Sequence, residues 1–180
     1  LLCLTAPKLW DDPYENFLKH SYGISSGEES VRLSFEAYSK YIFGQCWTRN
    51  KETDAIWRIY SPNKDRVKIK TTIAKLQKQI QKVTDQGVLT YIGEVIYLPE
   101  DKIRERIADG IKYSFLFHTD TLIRKYYLVK RDTFTYENGV RILVCLPTPP
   151  DNYKNAKYQD PENLDLCHLF LDNPVELIDE

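Results

Sequence analysis

Cys46-Trp47-Thr48-Arg49-Asn50-Lys51-Glu52-Thr53-Asp54-Ala55-Ile56-Trp57-Arg58-Ile59-Tyr60-Ser61 decides how the rest of the chain is read. The residues leading into it, Tyr41 to Trp47, are apolar and β-prone and predict a strand. Thr53 or Asp54 then offers a side-chain acceptor to the free N–H groups of a helix start, so a short helix to Tyr60 is expected. Ile56, Trp57 and Tyr60 share one stripe of that helix. Two indoles, a phenol, acidic and amide groups and two arginines therefore meet where a strand hands over to a helix. A plain core strand would not need that mixture. Functionally, Trp47 and Trp57 would form an aromatic wall for a base or a nicotinamide, with Arg58 holding a phosphate. The competing reading makes both indoles core residues and leaves Glu52 and Asp54 in the first helical turn.

Downstream, Ser61-Pro62-Asn63-Lys64-Asp65 is a turn. Val67, Ile69 and Thr71 alternate with Lys68 and Lys70, which predicts a half-exposed strand. Thr72 caps a helix carrying Ile73, Leu76, Ile80 and Val83 at helical spacing, and Gly87 closes it. Val88 to Leu98 reads as one long strand with Tyr91, Gly93, Val95 and Tyr97 on one face. A helix with Ile103, Ile107, Ile111 and Phe115 buried is expected from about Asp101 to Phe117, and another from Asp120 to about Lys130. Phe134 to Leu146 is the last clear strand region. Asn138-Gly139 within it is a strong hairpin signal, whereas an unbroken strand would put Glu137 and Arg141 on one face. Pro147 to Asp160 reads as a surface loop, Leu164 to Phe170 as a short strand, and Pro174 to Glu180 as the start of a helix or strand.

Upstream, Leu1 to Thr5 is a buried strand candidate ended by Pro7. A turn follows at Trp10 to Asn16, then a loop at Ser25 to Ser30 and a helix from Ser30 to about Ser39. Strands and helices alternate irregularly. That predicts one α+β domain over residues 1–180, with a mixed, mostly antiparallel sheet and flanking helices. Leu1-Leu2-Cys3 reads as a strand already under way, and Pro174 to Glu180 stops as an apolar run builds. Truncation at both ends is the expectation.

Composition narrows the function classes. Of 180 residues, 42% are hydrophobic and 28% charged, as in globular domains rather than disordered ones. The net charge of −1 gives no global field to gather nucleic acid or acidic membrane, so any anion site must be local. No apolar run reaches spanning length and no signal peptide opens the chain, so a cytoplasmic protein without membrane contact is expected. The four cysteines lack C-x-x-C pairing, and His20, His118 and His168 lack ligand spacing, so no metal is expected. Buried thiols are the simpler reading. With 7 glycines in the chain, phosphate-loop and dinucleotide fingerprints are absent.

Three further groups stand out. Asp11-Asp12-Pro13-Tyr14-Glu15-Asn16 crowds carboxylates into one turn, able to orient a ribose or a cation; an Asx-type turn before a helix start is the plainer reading. Arg66, Lys68, Lys70, Lys75, Lys78 and Lys82 form a basic series, either a phosphate-facing patch or, more simply, a solvated face. Glu137 sits in an apolar stretch near Lys130, Phe134 and Arg141. It would accept a hydroxyl proton or a ribose hydroxyl as positive charge develops, or else pair structurally with Lys130 or Arg141.

The runs Leu9 to Glu15, Cys46-Trp47 through Ala55 to Tyr60, and Val67 to Thr72 resemble the bacterial family named domain of unknown function 2971. Lys130, Phe134, Glu137, Val140 and Arg141 follow in that family's order, and the resemblance covers most of the chain. Its layout is in turn similar to ADP-ribosyltransferases. The resemblance implies an NAD-using enzyme of bacterial or phage conflict systems, with NAD as substrate. Within it, Glu137 would be catalytic and Thr5 would stand at the hydroxyl position. Trp47, Trp57, Arg58 and Arg141 would contact the nucleotide, and Asp12 and Glu15 would form the rim. The chain departs from the pattern at Gly139, where many relatives carry a second acid. The alternative is a non-catalytic module binding a protein or nucleic acid during phage response.

Overall fold

A computed structural model describes residues 2–10, 12–15, 22–24, 32–34, 41–85, 87–114, 126–146, 156–158 and 168–171. The chain is an α+β protein. Its main sheet is built from β1 (Leu2–Thr5), β4 (Ile42–Thr48), β5 (Leu89–Glu94), β8 (Gly139–Cys145), β9 (Ala156–Tyr158) and β10 (His168–Leu171). The order is β5-β8-β4-β1-β10-β9, and every neighbouring pair is antiparallel. Two smaller ladders accompany it. One is antiparallel, between β2 (Tyr22–Ile24) and β3 (Arg32–Ser34); the other is parallel, between β6 (Ile96–Leu98) and β7 (Val129–Arg131). The helices are α1 (Asp54–Tyr60), α2 (Ile73–Thr84) and α3 (Glu100–Ser114).

β8 is the axis. Its Val140 to Val144 run is buried on both faces, as a strand flanked by β4 and β5 should be. Ile142 and Val144 face a core shared with Leu4, Phe43, Val88 and the α2 stripe Leu76, Ile80 and Val83. Leu143 faces the other way, onto Ile42, Tyr126 and Tyr127. Alternation along one strand thus serves two cores. The α2 boundaries follow the local chemistry: Thr72 accepts from the Lys75 N–H at 3.3 Å, and Gly87 adopts φ 84° beyond the helix. Ile73, expected in the stripe, is half exposed instead.

Several expectations are corrected. Residues 32–34 form a strand paired with β2, not part of a helix. Residues 129–131 are likewise strand, and 156–158 pair with β10 inside the expected loop. Val67 to Thr71, expected as a strand, joins no ladder among the described residues. Val88 to Leu98 is two strands in two sheets. The Val95 N–H turns to Gly139 O at 2.9 Å and the Ile96 N–H to Leu128 O at 2.7 Å, which moves the chain from the main ladder to the small one. Residues 134–146 are not one strand either, because 132–137 form a 3₁₀ turn that Asn138 ends at φ 46°. Asn138-Gly139 therefore serves as a left-handed cap rather than a hairpin tip, since β7 pairs with β6 and not with β8. Ile111, Phe115, Ser25–Ser30 and Pro174–Glu180 lie outside what is described of side chains or backbone.

Candidate functional site

The strand-to-helix segment is stitched to the 3₁₀ turn before β8. Thr48 Oγ1 donates to Glu137 O at 2.5 Å, Asn50 Nδ2 donates to Tyr136 O, and Arg49 Nη2 donates to Asn138 Oδ1 at 2.8 Å. Thr53 caps α1 by accepting the Ile56 N–H at 3.3 Å. The α1 stripe that looked like core has no buried residue. It borders a cleft of about 300 Å³ lined by Cys46, Trp47, Ile56, Trp57, Tyr60 and Glu137 among others.

Each polar member is held in place. Trp57 Nε1 donates to Glu52 Oε1 at 2.7 Å, while Lys68 Nζ meets Glu52 Oε2 at 2.7 Å. Those two donors, with Lys68 first, hold the Glu52 carboxyl below its ordinary range. Trp47 Nε1 donates to Gln45 Oε1 at 2.9 Å, and Gln45 Nε2 to Cys3 O at 2.9 Å. Lys130 Nζ reaches both Glu137 oxygens, at 2.9 and 2.8 Å, and Tyr60 OH donates to Oε1 at 2.6 Å. Burial, then the Glu137 carboxylate, pushes the Tyr60 phenol well above its ordinary range, so Tyr60 stays a donor. Lys130 also lies 4.2 Å from the Phe134 ring centroid. The expected Lys130–Glu137 pair forms. A Glu137–Arg141 pair does not.

Arg141 belongs to a second network, buried except at Cys46, which it shares with the cleft wall. Its Nη2 pairs with Glu15 Oε1, its Nη1 donates to Tyr127 O at 2.5 Å, and its Nε donates to Cys46 Sγ at 3.2 Å. The Trp10 ring covers the guanidinium at 4.2 Å. Burial raises the Glu15 carboxyl above its ordinary range, against the opposing pull of Arg141. Asp12 is fully buried and accepts from Arg131 Nε at 3.0 Å and from the Tyr14 N–H at 3.1 Å. The second contact is the Asx turn that the D-P run allowed.

Of the expected site residues, Glu137, Trp47 and Trp57 therefore share one cleft. Asp12, Glu15 and Arg141 do not line it. Thr5 does not either: its hydroxyl donates to Gly44 O at 3.2 Å and accepts from Trp10 Nε1 at 3.1 Å. Thr5 pairs with Gly44, so it lies roughly 10 Å along β4 from Trp47, three residues away at about 3.3 Å each. Arg58 pairs with Asp54 at 3.1 Å and borders a neighbouring hollow. Cys46, expected to be buried, is exposed on the cleft wall. Tyr60, Arg66 and Lys68 also line the cleft; in the sequence the two cations stand out only as part of the basic series, and their separation from Glu137 carries no signal of a shared hollow. At Gly139 a Cβ would stand 3.0 Å from both Tyr97 Oη and Val95 Cγ2, so a larger side chain there requires those neighbours to give by a few tenths of an ångström.

Among the described residues, no group of three or more His, Cys, Asp or Glu is placed to hold a metal, and no helix is long and apolar enough to cross a membrane. No family model, no curated protein and no solved structure matches this chain.

Proposed function

We propose that this chain is an ADP-ribosyltransferase-like, NAD-using enzyme of the domain of unknown function 2971 kind, acting in the cytoplasm in a bacterial or phage conflict system. One observation carries the reading: a carboxylate oriented by Lys130 and Tyr60 borders the same hollow as two indoles. Nicotinamide would lie against Trp47 and Trp57, and a ribose hydroxyl would donate to Glu137. As the C1′–N bond breaks, the electron pair leaves with nicotinamide, and Glu137 stabilises the positive charge on the sugar. A target nucleophile or water then bonds to C1′ and gives up its proton to the Glu137 carboxylate. Thr5, Asp12, Glu15 and Arg141 touch no ligand in this scheme; they hold the sheet and turn in place.

The test is nicotinamide release from labelled NAD. Turnover should fall about 100-fold or more in Glu137→Gln, the range for losing a positioned acid–base group. No release and no transfer by the wild type, or full turnover by Glu137→Gln, refutes the reading.

A second reading has its own observation. Val67 is 85% and Ile69 52% exposed on a segment that also carries Arg66, Lys68 and Lys70. That surface suits a non-catalytic module gripping an acidic protein or a nucleic acid. Binding to RNA or DNA that weakens steeply between two salt levels, with no NAD turnover, would favour it.

A further inference from the structure

Beside the aromatic cleft lies a second hollow of about 620 Å³, lined by Asp54, Trp57, Arg58, Ser61, Lys64 and Arg66, with Pro62 at its edge. Trp57, Ser61 and Arg66 line both spaces. The two differ in character. The first holds the indoles and the Glu137 carboxylate; the second presents three cations against one carboxylate.

The loop between them is built around Ser61, which is buried. Its carbonyl accepts the Lys64 N–H at 2.9 Å and its hydroxyl accepts the Arg66 N–H at 3.2 Å. Lys64 is held at φ 58°, a left-handed conformation unfavourable to a non-glycine residue. This clamp fixes the backbone from which Arg66 projects. The Arg66 side chain makes no ion pair or side-chain hydrogen bond among the described residues, while Lys68 beside it is taken up by Glu52. Arg58 is paired with Asp54, but both are more than four-fifths exposed, and such a pair is weak enough to share with an incoming anion.

We infer that Arg66 is the phosphate-reading residue of this cleft. Its ligand is then a nucleotide whose base and ribose occupy the indole-lined space and whose phosphate or diphosphate lies between Arg66, Arg58 and Lys64. A guanidinium matches phosphate oxygens in two parallel hydrogen bonds, which a lysine ammonium cannot do. The inference rests on the proposed nucleotide cleft and sharpens it: nucleosides and free bases are poor ligands, and the discrimination sits on one residue outside the carboxylate's reach.

Calorimetric titration of the full chain with NAD, nicotinamide mononucleotide and nicotinamide riboside tests this. The wild type should bind the mononucleotide at least about tenfold more tightly than the riboside, a preference that shrinks as salt screens the cations. Arg66→Gln should remove the preference, and Arg66→Lys should restore only part of it. The exposed position of Arg66 spares the fold, which far-UV circular dichroism checks. Equal affinity for mononucleotide and riboside in the wild type, or an unchanged preference in Arg66→Gln, overturns the phosphate role while the cleft reading survives. If the wild type binds none of the three, the cleft reading itself falls, and this inference with it.

Discussion

Glu15 and Glu137 each face a basic side chain, and they end in opposite circumstances. Glu15 and Arg141 are almost wholly withdrawn from solvent, and each nitrogen of Arg141 has a partner in Glu15, Tyr127 or Cys46. Glu137 and Lys130 keep 17% and 9% of their side-chain surface exposed, and the carboxylate borders an open cleft. Desolvating two charges is expensive and is recovered only through good geometry and complete hydrogen bonding. The Arg141 network meets that demand with its buried partners, and only the Cys46 sulfur borders the cleft. The Glu137 pair meets part of it and leaves a fixed carboxylate edge on which a hydroxyl can replace Tyr60. The first arrangement specifies how β8, the D-P turn and residue 127 pack. The second fits a binding site.

Breaking the buried side should have the largest effect. Arg141→Met leaves the Glu15 charge buried without a partner, and about 3–5 kcal/mol of stability should disappear in denaturant titration. A loss under 1 kcal/mol would mean that the pair tolerates solvent and that the contrast is false. Gly44→Ala attacks the same side sterically. Its Cβ would come 2.6 Å from Trp10 Cζ2, so Trp10 must leave Arg141, at about 1–3 kcal/mol by the same assay. Glu137→Gln should cost less, about 1–2 kcal/mol, because solvent reaches Lys130 and an amide can still accept from it. If Glu137→Gln destabilises as much as Arg141→Met, the Glu137 pair is architecture.

The smallest effect is a control on burial away from both pairs. Burial pushes the Cys145 thiol up to about 11 from its ordinary 9.0. The folded chain thus holds that proton more tightly than the unfolded chain does. Its stabilising contribution is complete below pH 9 and is lost as pH rises through about 11. The wild-type stability curve should therefore fall faster than that of Cys145→Ser between those values and run parallel to it below. Alkylation should sharpen the same point, with exposed Cys46 reacting before Cys145.

How much of this was legible in the sequence varies with how local the cause is. Thr72 with the Leu76, Ile80, Val83 stripe placed α2, and Thr53 placed α1, because caps and periodicity act within one or two turns. The irregular alternation of elements also gave the α+β class. The break at Val95 was invisible: Leu89 to Leu98 keeps its alternation throughout, and only the change of partner from β8 to β7 divides it. Asn138-Gly139 signalled a hairpin, but a left-handed Asn serves equally as a helix cap, and the nonlocal pairing of β7 with β6 chose the cap. For the site, Trp47, Trp57 and Glu137 were readable from residue type. Thr5, Asp12, Glu15 and Arg141 have equally suggestive chemistry; burial removes the last three from the cleft, and the pairing of Thr5 with Gly44 removes the first, neither of which a spacing rule reports. Arg66 was hidden for the converse reason, since one more cation in a basic series looks like solvated surface until a cavity is found beneath it.

In the proposed function, Glu137 and the two indoles serve one ligand in one hollow. Calorimetric titration with NAD on the wild type, Trp57→Ala and Glu137→Gln tests it most directly. Saturable binding is predicted in the wild type, with affinity reduced about tenfold or more in each variant, as loss of a stacking ring or a hydroxyl acceptor requires. Wild-type affinity retained in both variants, or no binding by the wild type, would contradict it.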